Sequence, residues 1–181
     1  VALEQRQLGP FFDGLREDIL AAWQSGPGYD YDRVIYSVSY PYREDDIAHV
    51  LAWCGRASER AHLPPVEMLN RTLESHDYPA LARLAPEGVS AQAWSSVLHF
   101  CDPSYPVYSE AAAEALRSLG YETRGPDGKV SYLAFLEAVD RLKAAAPVTS
   151  IPETNWYLAR NIGVGLEHWA SAGKRRAGGK R

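Results

Sequence analysis

Two short stretches of this chain bring together residues that could do chemistry. In the first, Glu87-Gly88-Val89-Ser90 joins the short helix-like segment ALARLA to the apolar run AQAWSSVLHF, and Gly88 can take the left-handed or tightly turned conformation that such a reversal needs. The N–H groups of a turn of this kind and of the next helix's first turn, here as far as Gln92, point outward together. They can hold a phosphate without any side-chain charge. In the second stretch, Tyr105-Pro106-Val107-Tyr108 delivers Ser109 and Glu110 to the start of the alanine-rich segment EAAAEALRSL. Glu110 is there the candidate catalytic carboxylate. Capping duty is the competing reading, since serine is a good N-cap and a glutamate in a helix's first turn is favoured by the dipole without any reaction.

The elements that must position these residues are helical. Apolar spacing predicts a first helix over GPFFDGLREDILAAWQS, a second over REDDIAHVLAWCGRASERA, a third over PPVEMLNRTLES and a short one over YPALARLAP. The central pair follows, then a turn with Gly125-Pro126-Asp127-Gly128 at its tip. Ser131 is the expected N-cap of SYLAFLEAVDRLKAAAP, and SIPETNWYLARNIGVGLEHWASAG makes the last helix. The aromatic connector YDYDRVIYSVSYPY is expected to be extended, with at most one short strand pair in residues 33–40. The fold class is therefore all-α. Residues 1–173 are expected to form a single helical domain with a helix-hairpin-helix at about 79–100, and residues 174–181 a basic disordered tail.

Charge narrows the binding modes. The chain has 181 residues and a formal net charge of −4, but five of its 19 basic residues (Lys174, Arg175, Arg176, Lys180 and Arg181) lie in the last eight positions. Without them 14 positive charges face 23 negative ones, so phosphate binding by the body needs a local patch or backbone N–H groups, not a generally basic surface. The tail itself could be a nucleic-acid-binding arm or a solvated end; composition favours the second. No apolar run is long enough for a membrane span and no basic-then-apolar leader opens the sequence, so the expectation is a cytoplasmic protein without membrane contact. Cys54 and Cys101 stand far apart, and the five histidines show no ligand spacing. No metal site and no cofactor are expected.

Read as one unit, Leu81, Leu84, Glu87-Gly88-Val89-Ser90, then Ala93, Leu98 and Phe100, then Tyr105-Pro106-Val107-Tyr108 resembles the helix-hairpin-helix DNA glycosylases related to endonuclease III, adenine glycosylase, 8-oxoguanine glycosylase and 3-methyladenine glycosylase. The resemblance covers roughly forty residues. It implies DNA, abasic or damaged, as partner, a phosphate held at the hairpin from Glu87 to Gln92, and hydrolysis of a base's N-glycosidic bond. Two positions depart from the family pattern. Where the family carries the aspartate that stabilises the cationic sugar, this chain has Ser109, and an uncharged hydroxyl can do little of that work. Glu110 is the nearest replacement, but one residue of offset on a helix turns a side chain by about 100°. Gln92 falls where lyase-competent members carry a lysine, so no Schiff base and no strand cleavage are implied. An iron–sulfur cluster is not expected either, because four closely spaced cysteines are lacking.

Flat side chains suited to an extruded base are present at Trp94, Trp156 and Tyr157, although core packing serves each as well. Asp30 and Asp32 could supply a carboxylate from the connector, with turn and cap duty as the equal alternative. His99, between Leu98 and Phe100, is expected to be a buried histidine with a hydrogen-bond partner. The alternative to an enzyme is a glycosylase-like scaffold without catalysis, its surface given over to a protein partner or a small molecule.

Overall fold

A computed structural model describes residues 37–77 and 80–145. Among these the regular secondary structure is helical: α1 (Glu44–Trp53), α2 (Val66–Ser75), α3 (Ala91–Cys101), α4 (Glu110–Ser118) and α5 (Tyr132–Ala144), with 3-10 turns η1 (Ala57–His62) and η2 (Ala80–Arg83) between them. The sole isolated bridge described pairs Arg124 with Val130 across the Gly125–Gly128 tip. The all-α expectation is met. The strand pair read into 33–40 is not formed at 37–40, and residues 33–36 lie outside the described residues, as do the predicted first and last helices and the basic tail. The described chain divides between Tyr105 and Pro106 into two compact units.

In the unit that ends at Tyr105, α1 begins on acids. Asp46, with a side chain 1% exposed, accepts from the backbone N–H of Arg43 at 2.7 Å and from its Nε at 3.1 Å. Burial pushes the Asp46 carboxyl up, but the Arg43 side chain and backbone pull it further down, so it stays charged as a first-turn acid should. Ile47, Val50 and Leu51 form the buried stripe. The predicted helix over this stretch runs on through Ala61; the observed one stops at Trp53. The reason is Gly55 at φ +71°, where the Gly55 N–H reaches Ala52 O at 3.1 Å and the Arg56 N–H reaches Leu51 O at 2.7 Å. That is the reciprocal pair of bonds that ends a helix on a left-handed residue. The chain then restarts as η1, which Arg60 staples back to α1 by a fork of 2.7 and 2.9 Å onto the two oxygens of Glu44.

Extended chain before α1 is satisfied by a side chain instead of a strand. Asn70 of α2 accepts from Tyr42 N at 3.0 Å and donates to Tyr42 O at 2.9 Å, as a paired strand would. The Tyr42 hydroxyl donates to Val97 O of α3. Helix α3 is the centre of this unit: every residue from Ala93 to His99 is buried, the pattern of a helix packed on all sides. His99 meets its expectation, with Nδ1 2.7 Å from Tyr105 O. Cys54 and Cys101 are free, half-buried thiols.

In the unit that begins at Pro106, small residues decide the packing. Ala112, Ala113 and Ala115 are buried beside Leu116 on α4, while α5 contributes Phe135, Leu136, Val139 and Leu142. Tyr108 meets Phe135 edge-on, with ring centroids 5.1 Å apart, and the Tyr132 hydroxyl donates to Pro106 O at 2.9 Å. Ser131 caps α5 as predicted, accepting from Ala134 N at 3.2 Å.

Candidate functional site

The two candidate stretches lie in different units, so each is built separately. The hairpin starts from η2, a single 3-10 turn where the sequence suggests a short α-helix. Four residues before Leu84 leave no room for more, and Leu81 and Ala82 are spent on burial. Trp94 anchors this limb to α3: its Nε1 donates to Leu81 O at 2.9 Å and the residue is 1% exposed. As a cleft candidate Trp94 is therefore corrected to a core residue, with no ring face left for a base.

The turn itself closes with Val89 N donating to Pro86 O at 3.1 Å, and Gly88 takes φ +81°. Ser90 caps α3, its hydroxyl accepting from Ala93 N at 3.2 Å. Glu87 and Gly88 are exposed, while Val89, Ser90 and Gln92 are half-buried. Helix α3 thus opens on a sharp, glycine-dependent turn whose first N–H groups converge. Three neighbours from η1 and the residue before it, unpredicted by sequence, complete the surroundings. The Ser90 N–H donates to Glu59 Oε2 at 2.7 Å. Arg56 grips Gln92 Oε1 with Nε at 3.1 Å and Nη2 at 3.0 Å. The His62 ring lies against Gly88 so closely that a Cβ there would sit 2.6 Å from Nδ1. Gly88→Ala therefore meets both a positive φ and a steric wall, and is expected to cost about 1–3 kcal/mol. A fall in the urea midpoint with unchanged slope would register it; an unchanged midpoint would show that the turn can relax.

The second stretch is read from Tyr108. Burial raises the Tyr108 hydroxyl's pKa well above its ordinary value, and the neighbouring Glu110 adds to this. That hydroxyl donates to Glu110 Oε2 at 2.6 Å, while Arg117 Nη2 donates to Oε1 at 2.7 Å and Arg117 Nη1 to Thr123 Oγ1 at 2.9 Å. Tyr108 and then Arg117 hold the Glu110 carboxyl below its ordinary range, against a small opposing effect of burial. Both oxygens are engaged, and the side chain is 58% exposed. Ser109 is the N-cap of α4, accepting from Ala112 N at 3.1 Å. Arg117 lies seven positions from Glu110, two helical turns along one face, so this pairing was there to be found in the sequence.

The chain matches no family model, no curated protein and no solved structure. Asp30, Asp32, Trp156 and Tyr157 lie outside the described residues. Among the described residues no group of histidine, cysteine and acidic side chains could hold a metal, and no helix is long and apolar enough to cross a membrane. A groove lined by Glu122, Arg124, Ser131, Ala134, Glu137 and Arg141 contains none of the candidates, and its acids offset its cations.

Proposed function

We propose that this chain is a divergent, DNA-glycosylase-like helix-hairpin-helix protein that binds abasic or damaged duplex DNA through Glu87–Gln92 and has no base-excision step of its own. The observation that supports binding is the turn: Gly88 at φ +81° feeding a Ser90-capped helix, an arrangement whose backbone N–H groups suit a phosphate on an otherwise acidic body. Position 109 speaks against base excision. Serine keeps the cap and lacks the charge that the resembling family places there, and Glu110 is committed to Tyr108 and Arg117. A carboxylate so held is ionised but not free to approach a developing cation. Gln92, an amide engaged by Arg56, offers no amine for a Schiff base.

Fluorescence anisotropy with a labelled duplex carrying an abasic-site analogue tests the binding. Ser90 has φ −70°, which proline also adopts, so Ser90→Pro removes the N–H with little change in backbone direction. Ser90→Ala removes the hydroxyl cap and keeps the N–H. Wild type and Ser90→Ala are expected to bind at low salt and weaken steeply as salt rises, with Ser90→Pro about tenfold weaker than Ser90→Ala. Equal affinity of the two variants, or no binding at low salt, would remove the hairpin from the proposal. The alternative, a scaffold for a protein or small-molecule partner, is then the reading left.

A further inference from the structure

The hairpin already carries an anion of its own. Glu59 Oε2 lies 2.7 Å from the Ser90 N–H, in the middle of the segment proposed above to hold a DNA phosphate. The carboxylate is not there to serve its nearest guanidinium. Arg56 is 3.8 Å from the other oxygen of Glu59 and gives its short bonds to Gln92. The Glu59 side chain is 14% exposed, and its turn, η1, is fixed at Arg60 by the fork onto Glu44 and lies against Gly88 at its last residue, His62. An anionic oxygen on a backbone N–H is a charge-assisted bond. A phosphate oxygen makes the same demand, and one N–H cannot serve both at full strength.

We propose that Glu59 is a built-in competitor for the hairpin's phosphate position: DNA binds as the carboxylate leaves the Ser90 N–H, so Glu59 sets how tightly the protein holds DNA. This inference rests on the DNA-binding reading of the hairpin. The exchange has a route. The displaced Glu59 carboxylate finds Arg56, one turn away and already at 3.8 Å. Arg56 thereby releases Gln92 Oε1, and the freed amide can turn its NH2 donors toward the incoming phosphate. One internal ion pair is tightened as the two Arg56–Gln92 hydrogen bonds open, which leaves no buried charge uncompensated.

Anisotropy titrations with the abasic-analogue duplex test this on wild type, Glu59→Gln, Glu87→Gln and the double variant Glu59→Gln/Ser90→Pro, with a thermal melt confirming that each is folded. Glu87→Gln removes the same charge from the hairpin without freeing an N–H. Glu59→Gln is expected to bind about tenfold tighter than wild type, equivalent to about 1.4 kcal/mol, Glu87→Gln only about twofold, and the double variant is expected to lose the gain. If Glu59→Gln melts early, Glu59→Asp, which keeps the charge but shortens its reach, is expected to tighten binding in the same sense. Unchanged or weaker binding by Glu59→Gln, with Ser90→Pro still weakened, would overturn the competitor and leave the DNA-binding hairpin standing. A gain that survives in the double variant, or that Glu87→Gln matches, would reduce it to a general charge effect. Failure of wild type and Glu59→Gln alike to bind at low salt would bring down both.

Discussion

Trp94→Ala is expected to cost about 3–5 kcal/mol, a third or more of the whole stability of many domains of ordinary size. The residue is 1% exposed on α3, so truncation removes a large apolar surface and leaves a cavity that the surrounding core cannot fill without moving. It also takes away one of the two N–H groups that Leu81 O accepts, the indole at 2.9 Å, and leaves the Leu84 N–H at 3.1 Å. Trp94→Phe separates the two effects: most of the volume stays and only the indole donor goes, for about 0.5–1.5 kcal/mol. Urea unfolding followed by far-ultraviolet circular dichroism would measure both. A Trp94→Ala midpoint within about 1 kcal/mol of wild type would contradict the assignment of Trp94 to the core and reopen it as a ring that faces a ligand.

The second large effect is a gain. Ser109→Asp places a carboxylate at the position where the resembling family carries its own, and aspartate is as good an N-cap as serine, so α4 should start where it does now. A preorganised charge facing a developing cation changes rates by about 10²–10³ when it is removed; adding one is expected to raise base release from damaged duplexes at least about a hundredfold over the uncatalysed background, which wild type should not exceed. Glu110 should not interfere, because Tyr108 and Arg117 already occupy its oxygens. Single-turnover assays over a panel of damaged bases, with the abasic product revealed by alkali, would show it. Ser109→Asn, the same cap without charge, should remain silent. A folded, DNA-binding Ser109→Asp protein that releases nothing, or releases no more than Ser109→Asn, would mean that the Pro-Val-aromatic stretch carries no latent glycosidic chemistry.

What could be read from the sequence was local. Ser90, Ser109 and Ser131 each stand three residues before the N–H they cap, and the buried face of α5 follows its apolar spacing. The Gly125–Gly128 tip was legible for the same reason, since its turn residues are neighbours. The break of α1 at Gly55 was written in the sequence as a glycine after an apolar stripe, but Arg56 to Arg60 continue a helical composition that hides it. The contacts that give the hairpin its character were out of reach. Glu59 lies 31 residues from Ser90, and a surface acid in a short turn looks like any other until folding lays that turn against the glycine. Trp94 was ambiguous because α3 is packed all round, and its polar stripe of Ser95, Ser96 and His99 is buried as well, so that stripe does not mark the solvent side. Where the connector is described, residues 37–40 form no strand, and just beyond them the backbone at Tyr42 finds its partner in one asparagine side chain, which no alternation pattern can report.

The Ser109 cap has a consequence in the genetic code. Between the codons for aspartate and those for serine of the AGY type lie asparagine and glycine, and all four residues are accepted at a helix N-cap. The Ser109 hydroxyl does its structural work through a single bond to Ala112 N, which the aspartate and asparagine side chains reproduce and whose loss glycine tolerates. Position 109 can therefore drift across the boundary between a charged and an uncharged site one nucleotide at a time, with no unfolded intermediate in the way. Loss or recovery of a reactive group there is a change that selection for folding would not detect.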